Sequence, residues 1–437
     1  MSRTLEQLTE PLAIVAAIRT PFAKAFGALS SVPADELGRV AVTAVLERSG
    51  VKPEQVDEVI FGNVASPPDT ANVSRVIALR SGIPQCKVAH TVHRNCASGM
   101  EAIVSAWQAL REGRSQIIIA GGTESMSNVP LLWDTRMKDL LLDLSRQKTL
   151  FGRMRVMSHF RPSMLKPIPG LQLGLTDPTC GLNMGQTAEL LAKDFSISRV
   201  EQDQFALTSH QRATAAWERC FYKGETTPVS IADAKQVEKD SGPRANQTLD
   251  SLAKLKPLFD RASGSVTAGN SCPITDGACA LVLMPASKAR SLGSPILGFV
   301  RDYTVAGCEP QRMGLGPVFA TQKLIHRHGM SLSDFELVEI NEAFAAQVIA
   351  CQRAFASDKF AKEHFALSHA IGEIPHDKLN VNGGAIALGH PVGTTGARLV
   401  MTLLRALKEK GLKRGLATLC VGGGQGMSMW VETELQD

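Results

Sequence analysis

Apolar and polar positions along the chain switch between two periods. Residues 13–17 form a short apolar run, the pattern of a buried strand. Residues 35–48 repeat apolar positions three and four apart and stop at Gly50, which predicts a helix. Residues 56–64 predict a strand running into a loop, and 72–81 a helix closed by Gly82. Ile103, Ala106, Trp107 and Leu110 share one face of a helix over 98–111. Residues 116–120 are a strongly apolar run that ends in Gly121 and Gly122. Strands alternating with helices predict an α/β fold around a mostly parallel sheet.

The alternation breaks after Glu124. Residues 130–183 carry Pro130, Pro162, Pro167, Pro169 and Pro178, with basic residues from Arg136 to Lys166. Residues 184–224 read as helical and 225–250 as a polar, exposed connection. The stretch 129–251 is therefore expected to be an insertion. Alternation returns at Ser265, and 278–284 predicts another buried strand. The remaining chain repeats the first part. The 56–63 pattern is echoed at 335–341, and the strand ending at Gly122 by the run 416–424. The turn at 96–99 and its helix are echoed by 390–396 and a helix over 397–410. The expected division is a first half of 1–128 plus 252–287, an inserted loop domain at 129–251, and a second half at 288–437. Two similar halves facing each other would bring together loops that carry Cys96, Asn341, His390 and Cys420.

Composition narrows the class. The chain has 437 residues, 44% of them hydrophobic and 20% charged, an ordinary globular balance. Its net charge of +5 is too diffuse for a nucleic-acid-binding surface, though it suits an anionic substrate such as a nucleotide-bearing thioester. The cysteines number 9, scattered and without a C-x-x-C pair, which gives zinc and thioredoxin readings no support. Odd, dispersed cysteines fit a reducing compartment, so a cytoplasmic location is expected. The first residues lack the apolar core of a secretory signal, and no run spans a membrane.

The chemistry gathers at the echoed turns. Cys96 stands just ahead of a helix, where the positive end of the helix dipole favours thiolate. Ala97, Ser98 and Gly99 let other groups approach the sulfur. Standing alone, such a cysteine is more often an inert core residue. A nucleophile needs a base, and His390, between Gly389 and Pro391 at a helix start, is the best candidate of 10 histidines. Cys420 ends a buried strand and enters Gly422-Gly423-Gly424. That loop lacks the spacing and the following helix of a dinucleotide fingerprint, but its freed amides suit an oxyanion. Asn341 and Glu342 close a strand with polar side chains, which is costly unless they are used.

These stretches resemble the signature blocks of the thiolases: Asn95-Cys96-Ala97-Ser98-Gly99, Asn341-Glu342-Ala343-Phe344, Gly389-His390-Pro391-Val392-Gly393, and Cys420 with its glycines. Met184-Gly185-Gln186 and Thr267-Ala268-Gly269-Asn270 resemble two further blocks, in the family's order. The basic insertion resembles the fatty-acid-oxidation type, which works beside a hydratase/dehydrogenase subunit. The resemblance implies a five-layered αβαβα fold and cleavage of 3-ketoacyl-CoA by coenzyme A, with no permanently bound cofactor and no metal. It implies that Cys96 carries the acyl group and His390 takes its proton. Asn341 would hold a water in one oxyanion hole, and the amides of Cys96 and Gly422 would form a second. Cys420 would protonate the departing acetyl-CoA carbanion. Met184, Ala268, Gly269 and Cys272 would lie along the coenzyme. The chain departs from many thiolases at Asn183, where they have histidine, and at Cys272, where they have a hydroxyl residue.

Three rivals remain: a condensing synthase of the same fold, a biosynthetic acetyl-CoA acetyltransferase, and a non-catalytic acyl-CoA-binding scaffold. Ketoacyl synthases pair one cysteine with two histidines, so Cys420 argues against the first. The likeness implies at least a homodimer. The segment 130–170, with Leu140, Leu141, Leu144, Leu150 and Phe151 among basic side chains, is expected to dock on a partner subunit or a membrane surface, or to form a lid.

Overall fold

The computed structural model describes residues 10–231 and 235–435. Its main strands are β1 Leu12–Arg19, β2 Glu58–Gly62, β3 Val88–Val92, β4 Ile118–Glu124, β5 Thr275–Pro285, β6 Gly298–Gly307, β7 Leu337–Ile340, β8 Arg414–Val421 and β9 Gln425–Glu432. They follow one hydrogen-bonded path in the order β7-β8-β9-β6-β1-β5-β4-β2-β3. Within the first half β3, β2 and β4 run parallel, and β5 and β1 follow antiparallel. The second half repeats the scheme: β7 and β8 are parallel, then β9 and β6 antiparallel. Where β3 would stand, Val338 makes a parallel bridge to Leu379. The halves join at β1 and β6, through Leu12↔Val300, Ala13↔Phe299 and Ile14↔Gly298.

The main helices are α1 Ala34–Ser49, α2 Val73–Arg80, α3 Ser98–Arg111, α4 Thr135–Arg146, α5 Leu150–Met157, α6 Met184–Asp194, α7 Arg199–Glu218, α8 Gly316–His328, α9 Ala345–Phe355 and α10 Thr395–Lys410. Three buried clusters define the layers. In the middle, Ile103 and Leu110 of α3 and Leu399, Leu403 and Leu407 of α10 pack on Ile118, Leu281 and Leu419. Outside the first half, Leu37, Val42 and Val45 of α1 pack on Ile119 and Val282. Outside the second, Val318 and Leu324 of α8 and Val348 of α9 pack on Ile340 and Leu416. Ile118 and Ile119 thus serve opposite cores, which is why their strand reads as unbroken apolar sequence. The result is the α-β-α-β-α layering that the family resemblance implies.

The two central helices meet at their first turns. A Cβ on Gly99 would lie 2.8 Å from Ala397 N, and one on Gly396 only 2.4 Å from Met100 N. Only glycine allows this backbone approach. It brings the turn before α3 and the turn before α10 to one place.

Two expectations need correction. The sheet is mixed rather than mostly parallel: only β2–β3, β2–β4 and β7–β8 pair parallel, and the other neighbours along the path are antiparallel. Residues 225–250 are not a simple exposed connection. Glu225 and Asp240 both bind the fully buried Arg19, Asp240 through two bonds of 2.6 and 2.8 Å. A buried guanidinium requires such partners. In the basic insertion α4 and α5 pack as a hairpin, and Met137, Leu140 and Met164 form a small core of their own. Leu140 therefore faces inward, while Leu150 and Phe151 are 76% and 78% exposed.

Candidate active site

Cys96 sits in a tight turn between β3 and α3. Asn95 takes the left-handed conformation, with a φ of 43°, and so turns the chain into the helix. The side chain of Ser98 accepts from Arg94 N and donates to Asn95 O, which fixes the turn. Dipole reasoning favours thiolate here, yet the free site behaves otherwise. Desolvation pushes the Cys96 thiol above the ordinary range, opposed by the amides of Gly422 and of Cys96 itself and reinforced by the charge of Glu124. Desolvation outweighs the dipole, so the sulfur rests as a thiol and needs a base at the moment of attack.

His390 meets that need. Thr395 Oγ1 donates to Pro391 O at 3.0 Å and lies 2.6 Å from His390 Nδ1. Its one proton is used, so it accepts from Nδ1–H, and the network assigns a free lone pair to Nε2. Nε2 is buried and has no hydrogen-bond partner among the described residues. Burial, helped by the charge of Arg398, pushes the imidazole down to about 3, so the ring is neutral at physiological pH. The main chain of His390 is held by the bond from its backbone N–H to Thr275 Oγ1 at 3.1 Å.

Asn341 follows β7, next to the strand that carries Cys420; its backbone N–H bonds Thr418 O at 3.0 Å. It is fully buried, and neither Oδ1 nor Nδ2 has a partner among the described residues. A buried amide left open at both ends is expensive and points to a use in the reaction. Cys420 is buried, and its thiol is pushed far up by burial and by the nearby Cys96, Cys351 and Cys272. It is a thiol that resists ionising, suited to giving a proton to a strongly basic carbanion. Gly422 is held beside Cys96 by Asn95, whose Nδ2 donates to Gly422 O at 2.7 Å.

Of the residues expected along the coenzyme, Met184 and Cys272 lie close to this centre. Met184 begins α6, and its sulfur lies 3.4 Å from the position a Gly422 Cβ would take. Cys272 donates its backbone N–H to Ala343 O at 3.0 Å, and burial pushes its thiol up to about 12. Ala268 is exposed at a turn in which Thr267 N donates to Asn270 Oδ1 at 2.7 Å. Gly269 is buried there because a side chain would strike Leu252 and Leu255. Asn183 caps α6 reciprocally with Gln186, at 3.0 and 2.9 Å.

The family descriptions "Thiolase, N-terminal domain" and "Thiolase, C-terminal domain" match residues 12–287 and 294–433. The chain belongs to the thiolase family. It is 41% identical over 424 residues to a protein named 3-ketoacyl-CoA thiolase from Pseudoalteromonas translucida, covering 97% of each chain. The thiolase fold here is also similar to the crystal structure of the Bacillus anthracis acetyl-CoA acetyltransferase, with a TM-score of 0.85 and 36% identity over 98% of this chain and 99% of that one. A human mitochondrial 3-ketoacyl-CoA thiolase solved in complex with CoA matches with a TM-score of 0.83 and 34% identity, over 98% and 99%.

Two supporting residues of this thiolase site escape sequence reasoning. Thr395 sets the His390 tautomer, and its signal is a hydroxyl five residues beyond the histidine, at the start of α10. Glu124 is fully buried two positions after Gly122; its signal is a carboxylate ending an apolar strand.

Proposed function

We propose that this thiolase cleaves 3-ketoacyl-CoA with coenzyme A, yielding acetyl-CoA and an acyl-CoA shortened by two carbons, in fatty-acid β-oxidation. The observation that carries the reading is the pairing of two kinds of cysteine with a neutral, open-ended histidine and an unpartnered asparagine. Cys96 attacks the 3-keto carbon as His390 Nε2 takes its proton. The carbon–carbon bond breaks, and Cys420 gives its proton to the acetyl-CoA carbanion. Cys420 then takes the proton of incoming coenzyme A, whose sulfur attacks the Cys96 thioester. Asn341 and the amides of Cys96 and Gly422 stabilise the charged oxygens in turn. Met184, Ala268, Gly269 and Cys272 line the coenzyme path. Coenzyme A is a co-substrate, and no permanent cofactor is needed.

We extend the proposal to organisation. The two halves, 1–128 with 252–287 and 288–437, enclose the reaction, and 129–251 forms the loop domain. The outermost strand β3 has an open edge with Val88 58% exposed, which suits a second copy of the chain in a homodimer. Every one of the nine cysteines is free, in keeping with the cytoplasm. Among the described residues no helix is long and apolar enough to cross a membrane. The exposed, basic α4–α5 hairpin fits docking to a hydratase/dehydrogenase partner subunit, with peripheral membrane contact as the alternative.

The test follows loss of the magnesium-enolate absorbance of acetoacetyl-CoA and of a longer 3-ketoacyl-CoA, with and without coenzyme A. Coenzyme-dependent loss with formation of acetyl-CoA is expected. Binding without cleavage would favour the scaffold reading. Condensation of acetyl-CoA far outpacing cleavage would favour the biosynthetic one.

A further inference from the structure

The end of strand β4 has a face that the reaction scheme does not use. Gly122 and Glu124 stand two residues apart and so point to the same side. Both meet the turn that carries His390. A Cβ on Gly122 would lie 2.0 Å from Gly393 O, so the strand accepts the turn only because position 122 has no side chain. Beyond it, Glu124 Oε2 accepts from Gly393 N at 2.8 Å and from Val64 N at 3.0 Å. Oε1 accepts from Ala65 N at 2.9 Å and from Asn63 Nδ2 at 3.1 Å. One carboxylate thus gathers four N–H donors from both halves, is fully buried and has no ion-pair partner among the described residues. Turning Gly393 into a larger residue would press on the same contact, since its Cβ would lie 2.8 Å from Glu124 Oε2 and 2.9 Å from Asn63 Cα.

We propose that Glu124 is a positioning residue for acyl transfer: it registers the His390 turn of the second half against the half that carries Cys96. The proposal rests on the roles given above to Cys96 and His390. Glutamine at this position would keep the size but offer one acceptor oxygen, and its own N–H groups would confront the remaining donors. The His390 turn would lose its tie and drift. Misplacement of a reacting group by about 1 Å can cost on the order of 100-fold. The nucleophile itself would respond in the opposite sense. Glu124 is the charge that helps hold the Cys96 thiol up, and glutamine removes it. Burial pushes the Glu124 carboxyl up to about 7 against its N–H donors, so its charge is only partly present at neutral pH; the other titratable group it feels is Asp276, which is tied to Ser127 N at 2.9 Å and to Ser127 Oγ at 2.5 Å.

The experiment compares two reactions of Cys96 in the parent and in Glu124→Gln. The first is single-turnover acylation by an acyl-CoA, read by peptide mass. The second is alkylation by iodoacetamide at alkaline pH, which draws on the thiolate fraction in equilibrium with hydroxide in solvent and so reads the ionisation and access of the sulfur rather than the placement of His390. Acylation is expected to fall ~10- to 100-fold while alkylation stays level or rises, and the Michaelis constant for coenzyme A changes little. Acylation within about twofold of the parent would overturn the proposal, as would a parallel fall in both reactions, which marks a collapsed pocket. If Glu124→Gln does not fold, Gly393→Ala reads the same contact and should give the same split. Normal acylation in Gly393→Ala would equally overturn it. Failure of the parent to acylate at Cys96 would instead remove the site assignment on which the proposal stands.

Discussion

The two halves of the molecule solve the same structural problem and leave different remainders. Each sends a short parallel strand into an asparagine: β2 into Asn63 and β7 into Asn341. Asn63 Nδ2 donates both hydrogens, to Thr123 O at 2.9 Å and to Glu124 Oε1 at 3.1 Å. Asn341 is as deeply buried and donates to nothing among the described residues. A duplicated scaffold supplies both positions; the first ties its amide nitrogen and leaves only Oδ1 without a partner among the described residues, whereas the second leaves both ends of the amide open. The same contrast holds for the turns at the central helices. One presents a sulfur, the other an imidazole, and the glycines at 99 and 396 let them meet. Similar halves thus make a site by diverging at matched places, one side tying its polar groups and the other leaving them for substrate.

The strongest way to break this comparison is at the second cysteine. Cys420→Ala should still accept an acyl group from a simple acyl-CoA, because that step uses Cys96 and His390. Cleavage should fall by about 10³-fold or more, in the range expected for loss of a general acid, and proton exchange on the methyl of acetyl-CoA should stop. Normal exchange measured by proton NMR would show that another group is the acid.

The asparagine pair gives the next largest effect and sharpens the comparison directly. Asn341→Ala should lower kcat by ~10²- to 10³-fold, as loss of an oxyanion donor does elsewhere, with the melting temperature nearly unchanged. Asn63→Ala should do the reverse, costing about 1–3 kcal/mol of stability by leaving Thr123 O unpaired and weakening the Glu124 contact, in a folded protein that still turns over. Equal kinetic losses in both variants would erase the distinction.

Much of this arrangement is legible in the residues. The buried strands, the repeat and the two helix-start turns announce themselves through apolar runs and glycines, because packing on both faces leaves little freedom of composition. Long-range polar partners are not legible. Arg19 is bound by Glu225 and Asp240, more than 200 positions away along the chain, and nothing local to residues 225–250 signals it. The protonation of Cys96 is misread from sequence for a related reason. A helix start can be seen in the residues, whereas the burial that opposes its dipole depends on the second half closing over it. Asn183, which departs from the histidine of many relatives, has a local reason in the cap of α6.

Acid titration tests the imidazole side of the pair more gently. In the folded chain His390 protonates at about 3, whereas an unfolded imidazole protonates near 6.5. Between those values the unfolded chain holds the extra proton, so acid favours unfolding and this group's contribution to stability grows as pH rises to about 6.5. His390→Asn should therefore flatten the slope of stability against pH, by up to about 1.4 kcal/mol per pH unit inside that window. An unchanged slope in chemical denaturation would mean that the imidazole is charged in the folded state.

The smallest expected effect lies outside the repeat. Leu140 is enclosed in the hairpin core, so the docking test belongs at Leu150, Phe151 and Met154. Replacing these three by serine should leave short-chain cleavage unchanged and weaken co-sedimentation with a hydratase/dehydrogenase subunit, or with anionic vesicles if the membrane is the true surface. Unchanged association with both would make the hairpin ordinary structure.

The division of labour between the halves is tested most directly by finding where the acyl group goes. The protein is mixed with a labelled acyl-CoA, quenched in acid, digested and mapped by mass spectrometry. The account predicts one labelled residue, Cys96, with the label lost on adding coenzyme A and absent in Cys96→Ser. Label on Cys420, on Cys272 or on any other cysteine, or label retained in Cys96→Ser, would contradict it.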